Sequence, residues 1–304
     1  MEGTITPHLW FDTEAGEAAG FYRSVFPGGR IRSTTTVRGT PSGDAEVVSF
    51  SLAGQPFMAV SAGPMFRFNP SVSFIVNHDP SRDPAARAHL DALWGALADG
   101  GRVLMPLDRY PFSERYGWVE DRYGVSWQLV LSDPEGEPRP FIVPALSFTG
   151  EVWGRAEEAG AYYRSVFPGS RPGQLVRSPA GLDPDREGAV MYSDFRLGGT
   201  WFAAMDGPRD AGYGFNEAIS FVVPCGTQGE IDRYWAALSA VPEAEACGWC
   251  KDRYGLSWQI VPAAMEAMMA SGDRAAIDRV TRAFLRMTKL DLAALEAAFE
   301  GRGA

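Results

Sequence analysis

Apolar and polar residues alternate in short runs along this chain, and between the runs apolar residues recur every three or four positions. The alternation from Ile5 to Phe11 predicts a strand. From Glu14 to Phe26, the residues Ala15, Ala18, Ala19, Tyr22 and Phe26 share one helical face, and Pro27-Gly28 ends that helix. Three short strands are predicted at roughly 30–38, 46–53 and 56–61, with a tight turn at Ala53-Gly54 between the last two. The pattern then restarts with a strand at 71–77, a helix at about 85–99, and strands near 115–121 and 125–131.

The whole succession occurs twice. Residues 21–30 read FYRSVFPGGR and residues 162–171 read YYRSVFPGSR, identical at eight of ten positions. NPSVSFIV (69–76) answers NEAISFVV (216–223), and GWVEDRYGVSWQLV (117–130) answers GWCKDRYGLSWQIV (248–261). Order and spacing are kept, so a complete domain has been duplicated. The boundaries predicted are 1–134 for the first copy and 140–262 for the second, joined by the Pro- and Gly-bearing stretch 134–140. A helical tail at 263–304 follows, broken at Gly272 with Asp273 as a fresh N-cap, and it has no counterpart in the first copy. The expected fold is α+β, with each copy a pair of strand-helix-strand-strand-strand units.

Composition narrows the partners. The formal charge of -10 argues against a nucleic-acid surface, which needs clustered Lys and Arg. No apolar run is long enough to span a bilayer, and the N-terminus has no basic segment followed by an apolar one, so a cytoplasmic protein is expected. Three cysteines make no disulfide framework. Cys247-Gly-Trp-Cys250 has the spacing of a redox or zinc motif, but it enters a strand and the first copy has Tyr116 and Val119 there.

The doubled unit resembles the vicinal oxygen chelate superfamily, which includes glyoxalase I, bleomycin- and fosfomycin-resistance proteins and extradiol dioxygenases. ITPHLWF (5–11), FNPSVSF (68–74), DRYGVSWQ (121–128), FNEAISFVV (215–223), CGWCKDRYGLSWQIVP (247–262) and KLDLAALEAAF (289–299) are similar to its PhnB-like branch, many members of which carry the label demethylubiquinone methyltransferase. The resemblance implies that each copy forms a cupped mixed sheet with helices on its convex face and a site on the concave face, with one divalent metal held from the first, fifth and last strands. Those places fall on His8, Ser71 and Gln128 in the first copy and on Ala145, Ala218 and Gln259 in the second. One histidine and one glutamine are a poor metal set and alanine cannot ligate, so no cofactor is expected; His8 and Gln128 are the candidates should a metal bind. The methyltransferase label lacks the glycine-rich strand-to-helix turn that adenosylmethionine sites commonly use.

The leading expectation is a small-molecule-binding protein or non-canonical enzyme whose ligand meets His8, Trp10, Ser71, Gln128, Phe68 or Gln259. Two alternatives stand beside it: a metal-dependent lyase or dioxygenase using His8 and Gln128, and a homodimer that sequesters a compound. His8, Trp10, Ser71 and Gln128 should border one cavity, with Trp127 and Trp258 in the core behind the sheets. Asp121-Arg-Tyr-Gly124 and Asp252-Arg-Tyr-Gly255 should form turns held by the aspartates. His78 and His89 are expected to meet solvent.

Overall fold

The computed structural model describes residues 3–132, 137–179 and 187–302, so the expected linker lies partly outside the described residues. The first copy comprises β1 (Thr6–Phe11), α1 (Ala15–Val25), β2 (Arg30–Thr40), β3 (Gly43–Leu52), β4 (Gln55–Ser61), β5 (Val72–His78), α2 (Ala86–Ala98), β6 (Arg102–Tyr110), β7 (Ser113–Glu120) and β8 (Ser126–Leu131). The second comprises β9 (Ile142–Phe148), α3 (Ala156–Val166), β10 (Arg171–Arg177), β11 (Val190–Leu197), β12 (Thr200–Asp206), β13 (Ile219–Cys225), α4 (Gln228–Leu238), β14 (Trp249–Lys251) and β15 (Ser257–Pro262). The tail holds α5 (Ala264–Met269), α6 (Arg274–Phe284) and α7 (Leu292–Glu300).

The strands form two mixed sheets, ordered β14-β15-β13-β1-β4-β3-β2 and β10-β11-β12-β9-β5-β8-β7-β6. Each sheet therefore joins the first half of one copy to the second half of the other. β1 runs antiparallel to β13, with His8 opposite Ser220, and β9 runs antiparallel to β5, with Ala145 opposite Ser73. The compact units follow the sheets: one takes its described residues from 1–23, 30–67 and 216–304, the other from 24–29 and 68–215. We call them the His8 unit and the Gln128 unit. The copies are real as sequence repeats, but neither copy by itself closes a sheet.

Helices cover one face of each sheet. In the His8 unit Tyr22 of α1 stacks on Phe50, which stacks on Phe57. In the Gln128 unit Tyr163 of α3 packs on Phe195, and Phe195 stacks on Phe202. A Cβ on Gly117 would lie 2.5 Å from the ring of Trp94, so only glycine admits that α2 tryptophan against β7. Trp127 and Trp258 are fully buried, as expected, and each donates its indole N–H to an aspartate of the preceding turn, Asp121 or Asp252, at 2.8 Å. The other carboxylate oxygen of each accepts backbone N–H groups of its own turn. Ala53 and Gly54 both adopt positive φ, 49° and 83°, which is the backbone of a two-residue hairpin turn.

Three details depart from expectation. β6 was not predicted; it is an edge strand interrupted by Pro106, with no clean alternation to read. The last unit of the second copy is shortened to β13, α4, β14 and β15, with a 3-10 turn at Pro242–Ala244 ahead of the three-residue β14. His78 is buried edge-on against Phe141 and not at the solvent; only His89 is exposed, paired with Asp83 at 2.6 Å.

Candidate functional site

Side chains alternate along a strand, so the face turned away from the helices can be read off the registers. In the His8 unit it carries His8 and Trp10 (β1), Met58 and Val60 (β4), Val47 and Ser49 (β3), Ser220 and Val222 (β13), Gln259 (β15) and Trp249 (β14). In the Gln128 unit the matching face carries Ala145 and Ser147, Ala203, Asp194, Ser73, Gln128 and Trp118.

His8 lies on the central strand of its sheet and is only 5% exposed. Its ring meets Trp249 edge-on at 5.5 Å, and Trp249 in turn meets Trp10 at 6.0 Å. Phe66 closes the aromatic group, 5.1 Å from Trp10, whose indole N–H is held by the carbonyl of Gly63. Gln259 donates its amide to the Ser220 hydroxyl at 2.9 Å. One buried polar atom here, His8 Nδ1, has no hydrogen-bond partner among the described residues. Burial pushes the His8 imidazole down to about 4, so it is neutral near pH 7 and offers an uncharged acceptor or donor.

The Gln128 unit repeats the frame with its glutamine saturated, while Ser147 Oγ and Arg196 Nε on the same face are buried without a hydrogen-bond partner. Gln128 donates to Ser73 at 2.8 Å and accepts from the Tyr116 hydroxyl at 2.8 Å, so both ends of its amide are occupied. Trp118 donates to Ser126 at 2.7 Å. Asp194 accepts both arms of Arg139 and the Tyr192 hydroxyl, and Arg139 lies 3.9 Å over the ring of Trp201. Where this unit has Tyr192, Asp194, Arg196, Trp201 and Tyr116, the His8 unit has Val47, Ser49, Ser51, Pro56 and Cys247. At these places the Gln128 unit carries large side chains and the His8 unit small ones.

The cavity expected from the sequence is thus corrected. His8 and Trp10 belong to one sheet and Gln128 to the other, because β1 pairs with β13 of the second copy and not with β5 of its own. The glutamine that shares a face with His8 is Gln259. Ser71 precedes β5 and gives its hydroxyl to the Gly214 carbonyl at 3.1 Å, so its role is to fix a loop. Phe68 packs beside the turn at Gly124; the aromatic residue at Trp10 is Phe66, two positions earlier in the same loop. Ser220 and Trp249 were missed. Their signal was present in the repeat, but it becomes readable only once the halves are exchanged.

The superfamily's metal does not fit these residues. One buried imidazole, a hydroxyl and an amide already bonded to that hydroxyl form no ligand set, and the other unit offers an alanine in place of the imidazole. Among the described residues no group of three or more His, Cys, Asp or Glu is placed to hold a metal ion. Cys247 and Cys250 are free thiols, and burial raises both.

The fold of paired strand-helix-strand units around cupped mixed sheets is that of the vicinal oxygen chelate superfamily. Residues 3–130 and 140–261 both match the family described as 3-demethylubiquinone-9 3-methyltransferase, and the chain belongs to that family. The chain is similar to the PhnB protein of Bacillus cereus, with 36% identity over 42% of this chain and 98% of that one and a TM-score of 0.37. It is also similar to glyoxalase I of Zea mays, with 9% identity over 89% of this chain and 98% of that one and a TM-score of 0.55. The fosfomycin resistance protein FosX of Listeria monocytogenes matches 44% of the chain at 10% identity, with a TM-score of 0.31. A comparison with curated proteins finds no match.

The adenosylmethionine that the family description implies was tested against the strand-to-helix turns, where backbone N–H groups would receive its carboxylate. Sequence reading overlooked one such turn with two glycines, Gly150 and Gly154. There the N–H groups of Gly150, Val152, Trp153 and Arg155 all bond neighbouring carbonyls. Between β1 and α1 the Glu14 carboxylate takes the N–H of Thr13; between β13 and α4, Glu230 and Thr227 take those of Gly226 and Glu230. Between β5 and α2, Asp79 and Asp83 take those of Ser81 and Ala85. These turns are capped by their own residues and do not fit the group.

Proposed function

We propose that the chain binds an uncharged, planar, largely apolar small molecule on the concave face of the His8 unit. The observation that carries the reading is His8 Nδ1, a buried nitrogen without a partner inside a group of aromatic rings. An unpaired polar atom so placed costs about 1–3 kcal/mol, a cost that a ligand hydroxyl or carbonyl would remove. The polar groups beside it, the Gln259 amide and the Trp249 indole, are likewise uncharged, which selects against ionic ligands. The methyltransferase label of the family does not describe the chemistry of these residues, and no metal or adenosylmethionine is part of the reading.

Calorimetric titration with 2-naphthol, a planar aromatic bearing one hydroxyl, tests it. We expect binding to the full chain at one equivalent, weakened about tenfold or more by His8→Ala and unchanged by Gln128→Leu, with no heat from millimolar adenosylmethionine. A loss produced by Gln128→Leu and not by His8→Ala would overturn the assignment, as would micromolar binding of adenosylmethionine.

A further inference from the structure

The two sheets end differently. In the Gln128 unit β7 has a further strand, β6, beyond it, whereas the seven-stranded sheet of the His8 unit stops at β14. The helical tail stands where that strand is missing. Cys247 and Gly248, which lead into β14, donate their backbone N–H groups to the carbonyls of Met287 and Thr288 at 2.8 Å, so the tail serves the edge that β6 serves in the other sheet. The tail also reaches the opposite edge. Met268, Val280, Phe284, Leu290 and Leu295 form one apolar cluster that takes in Val261 of β15 and Val37 of β2. Both valines lie on the concave face by register: Val261 is two residues beyond Gln259, and Val37 is opposite Ala45, which clusters with Val60 beside Trp10. One tail thus joins both flanks of the sheet across its concave side.

Its two anchorages are unequal. At β14 the backbone bonds are reinforced by Gln228 of α4, which bonds the Leu290 carbonyl at 3.2 Å and the Leu292 N–H at 2.8 Å, and Leu290 itself is fully buried. At β2 the tail is held by Val37 and by one ion pair, Arg38 with Asp278 of α6 at 3.9 Å, whose side chains are 53% and 43% exposed. A pair so long and so open to water adds little. Helix α6 is a stiff piece in its own right: Asp273 caps it at the N–H of Ala276, and Arg279 ties it to the end of α7 through the carbonyls of Ala298 and Phe299. Gly272, at a φ of 78°, breaks the chain between α5 and α6. Met265, Met269 and Met287 pack on the same cluster, and methionine repacks at low cost.

We propose that the tail is a strap across the His8 face: fixed at β14, where it replaces a strand, it lifts from β2 at the seam between Asp278 and Arg38 and so opens the way to His8. The inference rests on the binding reading above for its purpose, the entry of a ligand to that face. The Gln128 unit, whose sheet carries β6, has no such strap.

Diethyl pyrocarbonate, which acylates neutral imidazole, tests the strap without any ligand when applied to the full chain at pH 7, with the modified histidines located by mass spectrometry. Asp278→Arg sets two like charges at the seam and should raise the rate at His8 about fivefold. Exchanging the charges, Arg38→Asp with Asp278→Arg, should bring that rate back to the wild-type value. Lys289→Glu, which breaks the exposed pair with Asp232 on the anchored side, should leave it unchanged. His78, buried in the other unit, should keep one rate throughout. Faster hydrogen exchange in α6 of Asp278→Arg without faster acylation of His8 overturns the proposal, since the strap would then lift without opening the face. A parallel rise at His78 overturns it as general loosening, and an equal rise in Lys289→Glu overturns the assignment of the moving side. No change in either measure also overturns it, because the seam would not depend on the pair that joins it. Failure of 2-naphthol to bind the wild type would end the binding reading, while acylation of His8 still decides whether the strap opens.

Discussion

His8 and Ala145 occupy matching places on the first strands of the two copies, and that single difference gives one face an unpartnered imidazole nitrogen at its centre where the other has a methyl group. Alternation along β8 and β15 told correctly which face Gln128 and Gln259 occupy. It could not tell that Tyr116 would bond the first, with Cys247 at the matching place in the other copy, because that depends on a neighbouring strand. The buried state of His8 has a measurable consequence. Its imidazole sits at about 4 in the folded chain against 6.5 in the unfolded one. Between those values the unfolded chain binds the extra proton, so stability falls as pH drops from 6.5 towards 4 and is fully kept above 6.5. His78, also held at about 4 by burial, adds to the same slope. We expect His8→Gln to lose less stability than wild type between pH 7 and 4.5, by about 2–3 kcal/mol. Urea midpoints at the two pH values measure this, and parallel losses in both proteins would show that His8 is not held neutral.

At the scale of elements, most strands and helices were legible because their faces are one-sided: α1 buries Ala15, Ala18, Ala19 and Tyr22, as its spacing required. β6 escaped because an edge strand has no second neighbour to impose alternation, and Pro106 masks what remains. The Asp-Arg-Tyr-Gly turns were recognised, but not the reach of their aspartates to the tryptophan two strands' worth of packing depends on. Asp252 serves the N–H groups of Tyr254 and Leu256 and the indole of Trp258, all within a buried setting. Removing it leaves three donors without a partner, at about 1–3 kcal/mol each before relaxation. Asp252→Ala and Asp121→Ala should each lower stability by about 3 kcal/mol or more in urea unfolding. Asp121→Ala, which lies in the other unit, should leave 2-naphthol affinity within twofold at a temperature where the variant is folded; a large loss there would mean that this turn takes part in binding.

At the scale of the molecule, the exchange of halves was not visible in the sequence. NPSVSFIV and NEAISFVV are near-equal edges, and β1 could pair with either by pattern alone. What the structure adds is that β1 takes β13 and β9 takes β5, so the link between copies joins strands of one sheet, β8 and β9, while the seven-stranded sheet closes through the far end of the chain. Each copy cut free would then carry two half-sheets, each with an open strand: β1 and β5 in the first, β9 and β13 in the second. Open edges of that length are unstable in water and pair with whatever matches them. A fragment of residues 1–132 should therefore not be a folded monomer; it should pair with a second copy of itself or precipitate. When co-expressed with a fragment of residues 137–302, it should instead form a one-to-one complex, because the tail and the His8 face are then completed together. Size-exclusion chromatography with light scattering decides between these outcomes. A soluble, cooperatively melting monomer of residues 1–132 would mean that β1 can close on β5, and that the division into His8 and Gln128 units follows from the linkage of the copies and not from the fit of their edges.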